Sequence, residues 1–325
     1  MIAVYATDNN YVPWCGISIL SLFDSNREMA DLLVVVLDNG IDEEGRQQLL
    51  GIAASYGRRL SFVDVRAFQK KMDFQADSGG FNQTTLVRLF LPTYLEDLSG
   101  TILYLDCDTV VTGSLAELSD IDMTGYDLAA VPELYMPSDQ KVKIGLSASD
   151  SYYNAGVLLI NLDAWRAENR TEKFLSYYRK MNRILLYSDQ DILNVCCRGR
   201  IRTLPQTYNL NPNLCYFPYW FIKRLHPDYV VEPKEAYDAI LSHPAVCHYM
   251  GDERPWIHGN HSSFQGVFLK YKAMSPWRDL PETYGQEGYM FCYHLLNQLT
   301  RLFPHGRILF SKLIGIHKYQ VFGKK

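Results

Sequence analysis

The chain has 325 residues, 47% hydrophobic and 21% charged, a balance that supports a sizeable core and excludes a disordered polypeptide. A net charge of -4 at pH 7 argues against nucleic acid as a partner. The length suits one large α/β domain plus an extension.

In chain order, IAVYAT (Ile2 to Thr7) reads as a strand, Trp14 to Phe23 as a helix and LLVVVLD (Leu32 to Asp38) as a second strand. A helix over Glu43 to Tyr56, closed by Gly57, leads into LSFVDV (Leu60 to Val65). The pattern from Thr84 to Tyr94 is helical and precedes the strand TILYLD (Thr101 to Asp106). Unbroken β-branched runs alternating with helices imply an α/β core whose mostly parallel sheet is covered on both faces. Ligands in such cores sit outside the carboxyl ends of the strands, where Asp8 and Asp106 fall. Further strands follow at Leu128 to Pro132 and Ala155 to Leu162, then helices at Thr171 to Met181 and Ser188 to Cys196. Residues Asn209 to Trp220 are rich in Asn, Pro and aromatics and read as an ordered loop.

Beyond about residue 260 the chain is helical, aromatic and basic. No acidic residue follows Glu287, whereas Arg301, Arg307, Lys312, Lys318, Lys324 and Lys325 are all cationic. We divide the chain into a catalytic domain over residues 1–260 and a basic helical extension over residues 261–325. The seven cysteines form no CxxC pair and lie in apolar contexts, as reduced thiols of a cytoplasmic protein do. The amino terminus lacks the basic region of a signal peptide, and no apolar run is long enough to span a bilayer.

Several constellations carry chemistry. In LYLDCDTVV, Asp106 and Asp108 close a buried strand; two apart in an extended chain, their carboxylates share one side and suit Mg²⁺ or Mn²⁺. Taken alone, a DxD is more often a pair of solvated acids. Ser188 and Asp191 match a capping box, which puts Asp189 and Gln190 in the first turn of a helix. In CHYMGDERPWIH, His248 is a candidate imidazole ligand, Gly251 permits close backbone approach and Arg254 can pair with phosphate. A zinc cluster of Cys247, His248, His258 and His261 fits no standard spacing. Asn154 and Gly156 precede a buried strand, where making the turn is the simpler reading, and Arg88 stands on an apolar helix.

Taken in order, ATDNNY, Arg88 in TTLVRL, YLDCD, YYNAGVLLINL, SDQDILN and HYMG…RPW resemble family 8 glycosyltransferases over roughly residues 2–258. That family includes bacterial lipopolysaccharide galactosyl- and glucosyltransferases and, more distantly, glycogenin. The resemblance implies a GT-A fold that binds a UDP-sugar and Mn²⁺ and transfers the sugar with retention. By position, Asp106, Asp108 and His248 are then the metal ligands, with Cys107 between the two acids in the same motif. Asp8, Asn10 and the backbone of Ala6 and Thr7 would hold uracil and ribose, with Tyr11 stacking nearby. Arg88, Asn154, Asp189 and Gln190 would line the donor sugar, and Gly251 and Arg254 would grip the diphosphate. Relatives usually carry Lys at the place of Arg254, and often Asp at the place of Glu133, near the acceptor. Of the two residues with candidate chemical roles, Gln190 is a poor nucleophile, which favours same-face attack; Asp189 is left as donor orienter or nucleophile.

UDP-galactose or UDP-glucose is the expected donor and a glycan or glycolipid the acceptor. Leu295, Leu296, Leu299, Leu302 and Phe303 recur at helical spacing beside positive charge only, so an anionic membrane surface on the inner face of the cell membrane is a further candidate partner. Two other readings are a nucleotide-sugar-binding protein with weak or no catalysis, prompted by Arg254, and a sugar nucleotidyltransferase, for which ATDNNY is the wrong phosphate loop.

Overall fold

The computed structural model describes residues 1–66, 83–182, 185–225 and 233–309. Its centre is a seven-stranded sheet of β1 (Ile2–Thr7), β2 (Leu33–Asp38), β3 (Arg59–Asp64), β4 (Thr101–Leu105), β6 (Leu128–Pro132), β7 (Tyr153–Asn161) and β8 (Ile201–Thr203), in the order β3-β2-β1-β4-β7-β6-β8. Pairings are parallel except those of β7, which runs against both β4 and β6. A separate antiparallel pair joins β5 (Thr109–Val111) to β9 (Val246–His248). The architecture is GT-A-like: a mixed, mostly parallel sheet covered by helices, with a helical C-terminal region.

Side chains that alternate along each strand separate into two cores. Tyr5, Val34, Val36, Leu103, Leu105 and Val157 face one side; Val4, Val35, Leu37, Ile102, Tyr104 and Leu158 face the other. The first core is closed by α1 (Val12–Ser25) and α2 (Glu43–Ser55) through Trp14, Ile17, Leu22 and Leu49, and by the β5–β9 pair. Asp42 caps α2 by accepting from the Gly45 amide at 2.8 Å, with Glu43 and Glu44 complementing the helix dipole. The second core is closed by α3 (Leu91–Tyr94), α5 (Leu162–Ala167), α6 (Arg170–Lys180) and α7 (Ser188–Cys196). The short α4 (Ser138–Lys143) lies between β6 and β7, and α8 (Tyr219–Leu225) and α9 (Lys234–Ser242) precede β9.

Two local expectations are corrected. The segment expected as one helix from Thr84 to Tyr94 is a 3₁₀ helix over Gln83–Phe90 followed by the single turn α3. β-branched Thr84, Thr85 and Val87, with Pro92 just beyond, disfavour a continuous α ladder. At α7, Tyr187 rather than Ser188 is the N-cap, and Ser188 takes φ +44°. Neither half of the capping box forms; instead the Tyr187 amide donates to Asp191 at 2.9 Å.

Residues beyond 260 pack on the first core. Phe268 and Tyr271 of α10 (Gln265–Met274), Trp277, and Met290 of α11 (Glu287–Thr300) share one apolar cluster with Trp14 and Trp256. Trp14 and Trp256 stack at 4.4 Å, and Trp277 occupies the space above Gly16, where a Cβ would lie 2.0 Å away. Among the described residues no helix is long and apolar enough to cross a membrane. Lys312, Lys318, Lys324 and Lys325 of the basic tail lie outside the described residues.

Candidate active site

The chain runs outward from β1 through β2 to β3 and then returns to place β4 on the other side of β1. That reversal opens a crevice at the carboxyl ends of β1 and β4. A cavity of about 380 Å³ occupies it, walled by Ala6, Thr7, Asp8, Tyr11, Thr84, Thr85, Arg88, Tyr104, Asp106, Cys107, Asp108 and Arg254.

Asp106 and Asp108 stand at its floor. The strand ends at Leu105, so the two acids converge through the turn into β5 and not by alternation along an extended segment, as the sequence suggested. Thr109 Oγ1 fixes that turn by donating to the Asp106 carbonyl at 2.8 Å. The β5–β9 register sets Thr109 opposite His248, which carries the imidazole to the acids: Nε2 lies 3.2 Å from Asp108 Oδ1 and 3.9 Å from Asp106 Oδ2. One donor atom from each of the three residues lies within 4.8 Å of the other two, the one such group among the described residues. The zinc reading therefore finds no support: Cys247, His258 and His261 join no such group among the described residues, and His258 Nδ1 pairs with Glu282 at 2.7 Å.

Three observations fit this trio to a divalent cation. Two carboxylates and an imidazole match Mn²⁺ or Mg²⁺ better than a soft-ligand metal. Gly156 leaves the ring its room, since a Cβ there would sit 2.0 Å from His248 Cε1. The third is orientation. Asn209 Nδ2 donates to Asn154 Oδ1 at 2.7 Å, so Asn209 Oδ1 is left to accept from His248 Nδ1 at 2.9 Å. The proton belongs on Nδ1, and the Nε2 lone pair faces the carboxylates.

Electrostatics agree. Burial pushes the Asp108 carboxyl up, but His248 and then Arg254 hold it below the ordinary value. Burial pulls the His248 imidazole down, and Asp108 and Asp106 more than offset this, leaving it above its ordinary value. Arg254 lines the cavity wall, and its Nε is buried without a hydrogen-bond partner.

Arg88 crosses the cavity's flank. Its guanidinium pairs with Asp106 at 2.7 Å and Asp189 at 3.0 Å, and stacks over the Tyr104 ring at 4.5 Å. Burial lifts the Asp189 carboxyl to about 6 although Arg88 opposes it. Gln190 Oε1 accepts from the Ala155 amide at 2.9 Å, with Asn154 Nδ2 3.3 Å away, and Asn154 Nδ2 also donates to Glu133 at 2.8 Å. Asp8 Oδ1 accepts from the Asn10 and Tyr11 amides at 3.0 and 3.1 Å, leaving the Asn10 side chain exposed at the rim. Gly251, at φ +63°, opens the short 3₁₀ turn Gly251–Glu253 that delivers Arg254.

Sequence reasoning passed over Tyr104, Asn209, Thr84 and Thr85. Tyr104 was visible as the residue two before Asp106, and Asn209 as the first residue of the Asn- and Pro-rich segment. Thr84 and Thr85 are set into the wall by the 3₁₀ geometry, whose signal was their own β-branching, overridden by an apolar spacing that reads as α-helical.

A switch-point cavity with a carboxylate–imidazole cluster and an arginine in its wall has the chemistry suited to an anionic ligand held with a divalent cation. The model of glycosyl transferase family 8 matches residues 2–259, and the chain belongs to that family of glycosyltransferases. A putative glycosyltransferase of Haemophilus influenzae is 32% identical over 217 residues, 64% of this chain and 63% of its own length. The chain thus spans under two thirds of that relative. Lipopolysaccharide 1,3-galactosyltransferase of Salmonella typhimurium is 27% identical over 279 residues, 84% of this chain and 78% of that one. The solved galactosyltransferase LgtC, in complex with donor and acceptor sugar analogues, superposes with a TM-score of 0.72 at 28% identity, covering 89% of this chain and 99% of its own.

Proposed function

We propose that the protein is a retaining hexosyltransferase that moves galactose or glucose from UDP-galactose or UDP-glucose to a glycan or glycolipid acceptor in cell-surface polysaccharide or lipopolysaccharide-type biosynthesis. One observation carries the reading: Asp106, Asp108 and Arg254 line one cavity at the sheet's switch point, and His248 meets the two acids from behind them. The similarity to galactosyl- and glucosyltransferases supports the donor class.

Asp106, Asp108 and His248 would hold Mn²⁺ (or Mg²⁺), which when bound neutralises charge on a diphosphate. Arg254 offers a guanidinium to the same diphosphate, with Gly251 permitting the close turn. Ala6, Thr7, Asp8, Asn10 and Tyr11 serve the uridine end, Cys107 packing beneath it with its thiol 3.3 Å from the Ala6 carbonyl. Arg88, Asn154, Asp189 and Gln190 serve the sugar. Two engagements disfavour a covalent intermediate: Gln190 Oε1 already faces two amide donors, and Asp189 is tied to Arg88. Same-face attack needs neither as nucleophile. The anomeric C–O bond to the diphosphate breaks, the acceptor oxygen bonds to that carbon, and its proton passes to the departing phosphate oxygen.

We also place the protein in the cytoplasm, at the inner face of the cell membrane. Phe291, Leu295, Leu299, Leu302 and Phe303 are exposed beside Arg301 and Arg307, a surface suited to anionic lipid. Sedimentation with phosphatidylglycerol vesicles tests this; a protein left in the supernatant rejects it.

The enzymatic reading is tested by UDP release from UDP-galactose and UDP-glucose with Mn²⁺. Turnover that disappears in Asp108→Asn supports it. Tight UDP-sugar binding without turnover, even with pooled acceptors, favours a nucleotide-sugar-binding protein instead.

A further inference from the structure

The turn that delivers Arg254 is held from outside the cavity, by one face of α11 (Glu287–Thr300). Tyr289 donates to Asp252 Oδ2 at 2.8 Å, and Tyr293, one helical turn on, donates to the Glu253 carboxylate. From the next position, His294 Nε2 lies 3.1 Å from Asn260 Oδ1. Asn260 Nδ2 in turn donates to the carbonyls of Asp252 at 2.9 Å and Arg254 at 2.8 Å. The turn itself has little else to define it. Its 3₁₀ helix is three residues long and starts at a glycine with positive φ.

Burial makes these contacts consequential. Glu253 is fully buried, and burial lifts its carboxyl above the ordinary value. Tyr293 is buried against it, with Arg307 over the Tyr293 ring at 5.8 Å. A carboxyl group removed from water needs a donor, and α11 supplies it. The contacts between helix and turn are these polar ones, Tyr289 to Asp252 and Tyr293 to Glu253.

We propose that Tyr289 and Tyr293 are positioning residues for Arg254: α11 clamps the Asp252–Glu253 turn and thereby sets where the guanidinium meets the diphosphate. This rests on reading Arg254 as a diphosphate contact. Neither tyrosine touches substrate. Each acts through one of the two residues ahead of Arg254, Tyr289 through Asp252 and Tyr293 through Glu253, so its effect appears in affinity for the diphosphate and not for the nucleoside.

The test is binding of UDP and of uridine, with Mn²⁺ present, to the full chain and to Tyr293→Phe, Tyr289→Phe and Arg254→Ala. Uridine lacks the diphosphate and reports on the remainder of the site. Each tyrosine variant should bind UDP about three- to tenfold more weakly, the effect of one hydrogen bond, with uridine unchanged. In an Arg254→Ala background the tyrosine changes should add nothing, because they act through the group already removed. Arg254→Ala leaving UDP affinity intact refutes the reading of Arg254 itself. Arg254→Ala weakening UDP while both tyrosine variants bind like the parent overturns the clamp, as does a parallel loss of UDP and uridine. Should Tyr293→Phe fail to fold, Tyr289→Phe decides alone, since Tyr289 is exposed and its loss leaves the core intact.

Discussion

A methyl group at position 156 would press on His248 Cε1, and the imidazole has nowhere to retreat, since its Nδ1 is held by Asn209. Gly156→Ala should therefore fold but lose at least about tenfold in Mn²⁺ affinity by calorimetry, as expected when a ligand's support is disturbed. Unchanged affinity would mean the ring is not a ligand. At Asp189, burial raises the carboxyl to about 6 against the pull of Arg88. The folded chain keeps that proton up to about pH 6 while the unfolded chain releases it near 4, so this group's contribution to stability falls as pH rises between about 4 and 6. Activity runs the other way. The ionised form is needed to pair with Arg88, so kcat/KM rises through about pH 6, and Asp189→Asn should erase that limb of the profile. Asp106, Asp108 and His248 were recognisable from the order and spacing of motifs. Asn209 stood in a conspicuous Asn- and Pro-rich segment, but its role was not legible, because its contacts with Asn154 and His248 join side chains distant in the sequence.

Among the elements, a chain of hydroxyls braces the turn between β4 and β5. Tyr5 lies 3.1 Å from Ser18, Ser18 2.8 Å from Thr109, and Thr109 donates to the Asp106 carbonyl. Thr109→Val keeps the shape but strands buried partners, so a loss of about 1–3 kcal/mol is expected in urea unfolding, with weaker Mn²⁺ binding. Strands β1, β2, β4, β6 and β7 could be read from their runs of Val, Leu, Ile and Ala, since burial on both faces leaves no polar alternation to confuse. β5, β8 and β9, three residues each, are too short for any periodicity and exist through their neighbours. The 3₁₀ helix before α3 differs for a local reason: its β-branched residues have the right apolar spacing for an α-helix but the wrong backbone preference.

Across the molecule, the residues past 260 share the apolar core that supports α1. Trp277 fills the space over Gly16, so Trp277→Ala should cost about 3–5 kcal/mol and lower the denaturation midpoint, although it stands far along the chain from any site residue. The sequence marked this region as helical and basic, yet its attachment to the Arg254 turn arises from contacts 37 and 40 residues apart. Charge and local pattern carry no record of such pairings. The central claim is that two aspartates, a histidine and Arg254 together create the binding site for a metal-bridged nucleoside diphosphate. Calorimetric titration of UDP into the protein with and without Mn²⁺, repeated on Asp108→Asn, tests it most directly. The account predicts UDP affinity that rises at least tenfold with Mn²⁺ and loses that gain in Asp108→Asn; UDP binding equally well without the metal, or undiminished in the variant, would contradict it.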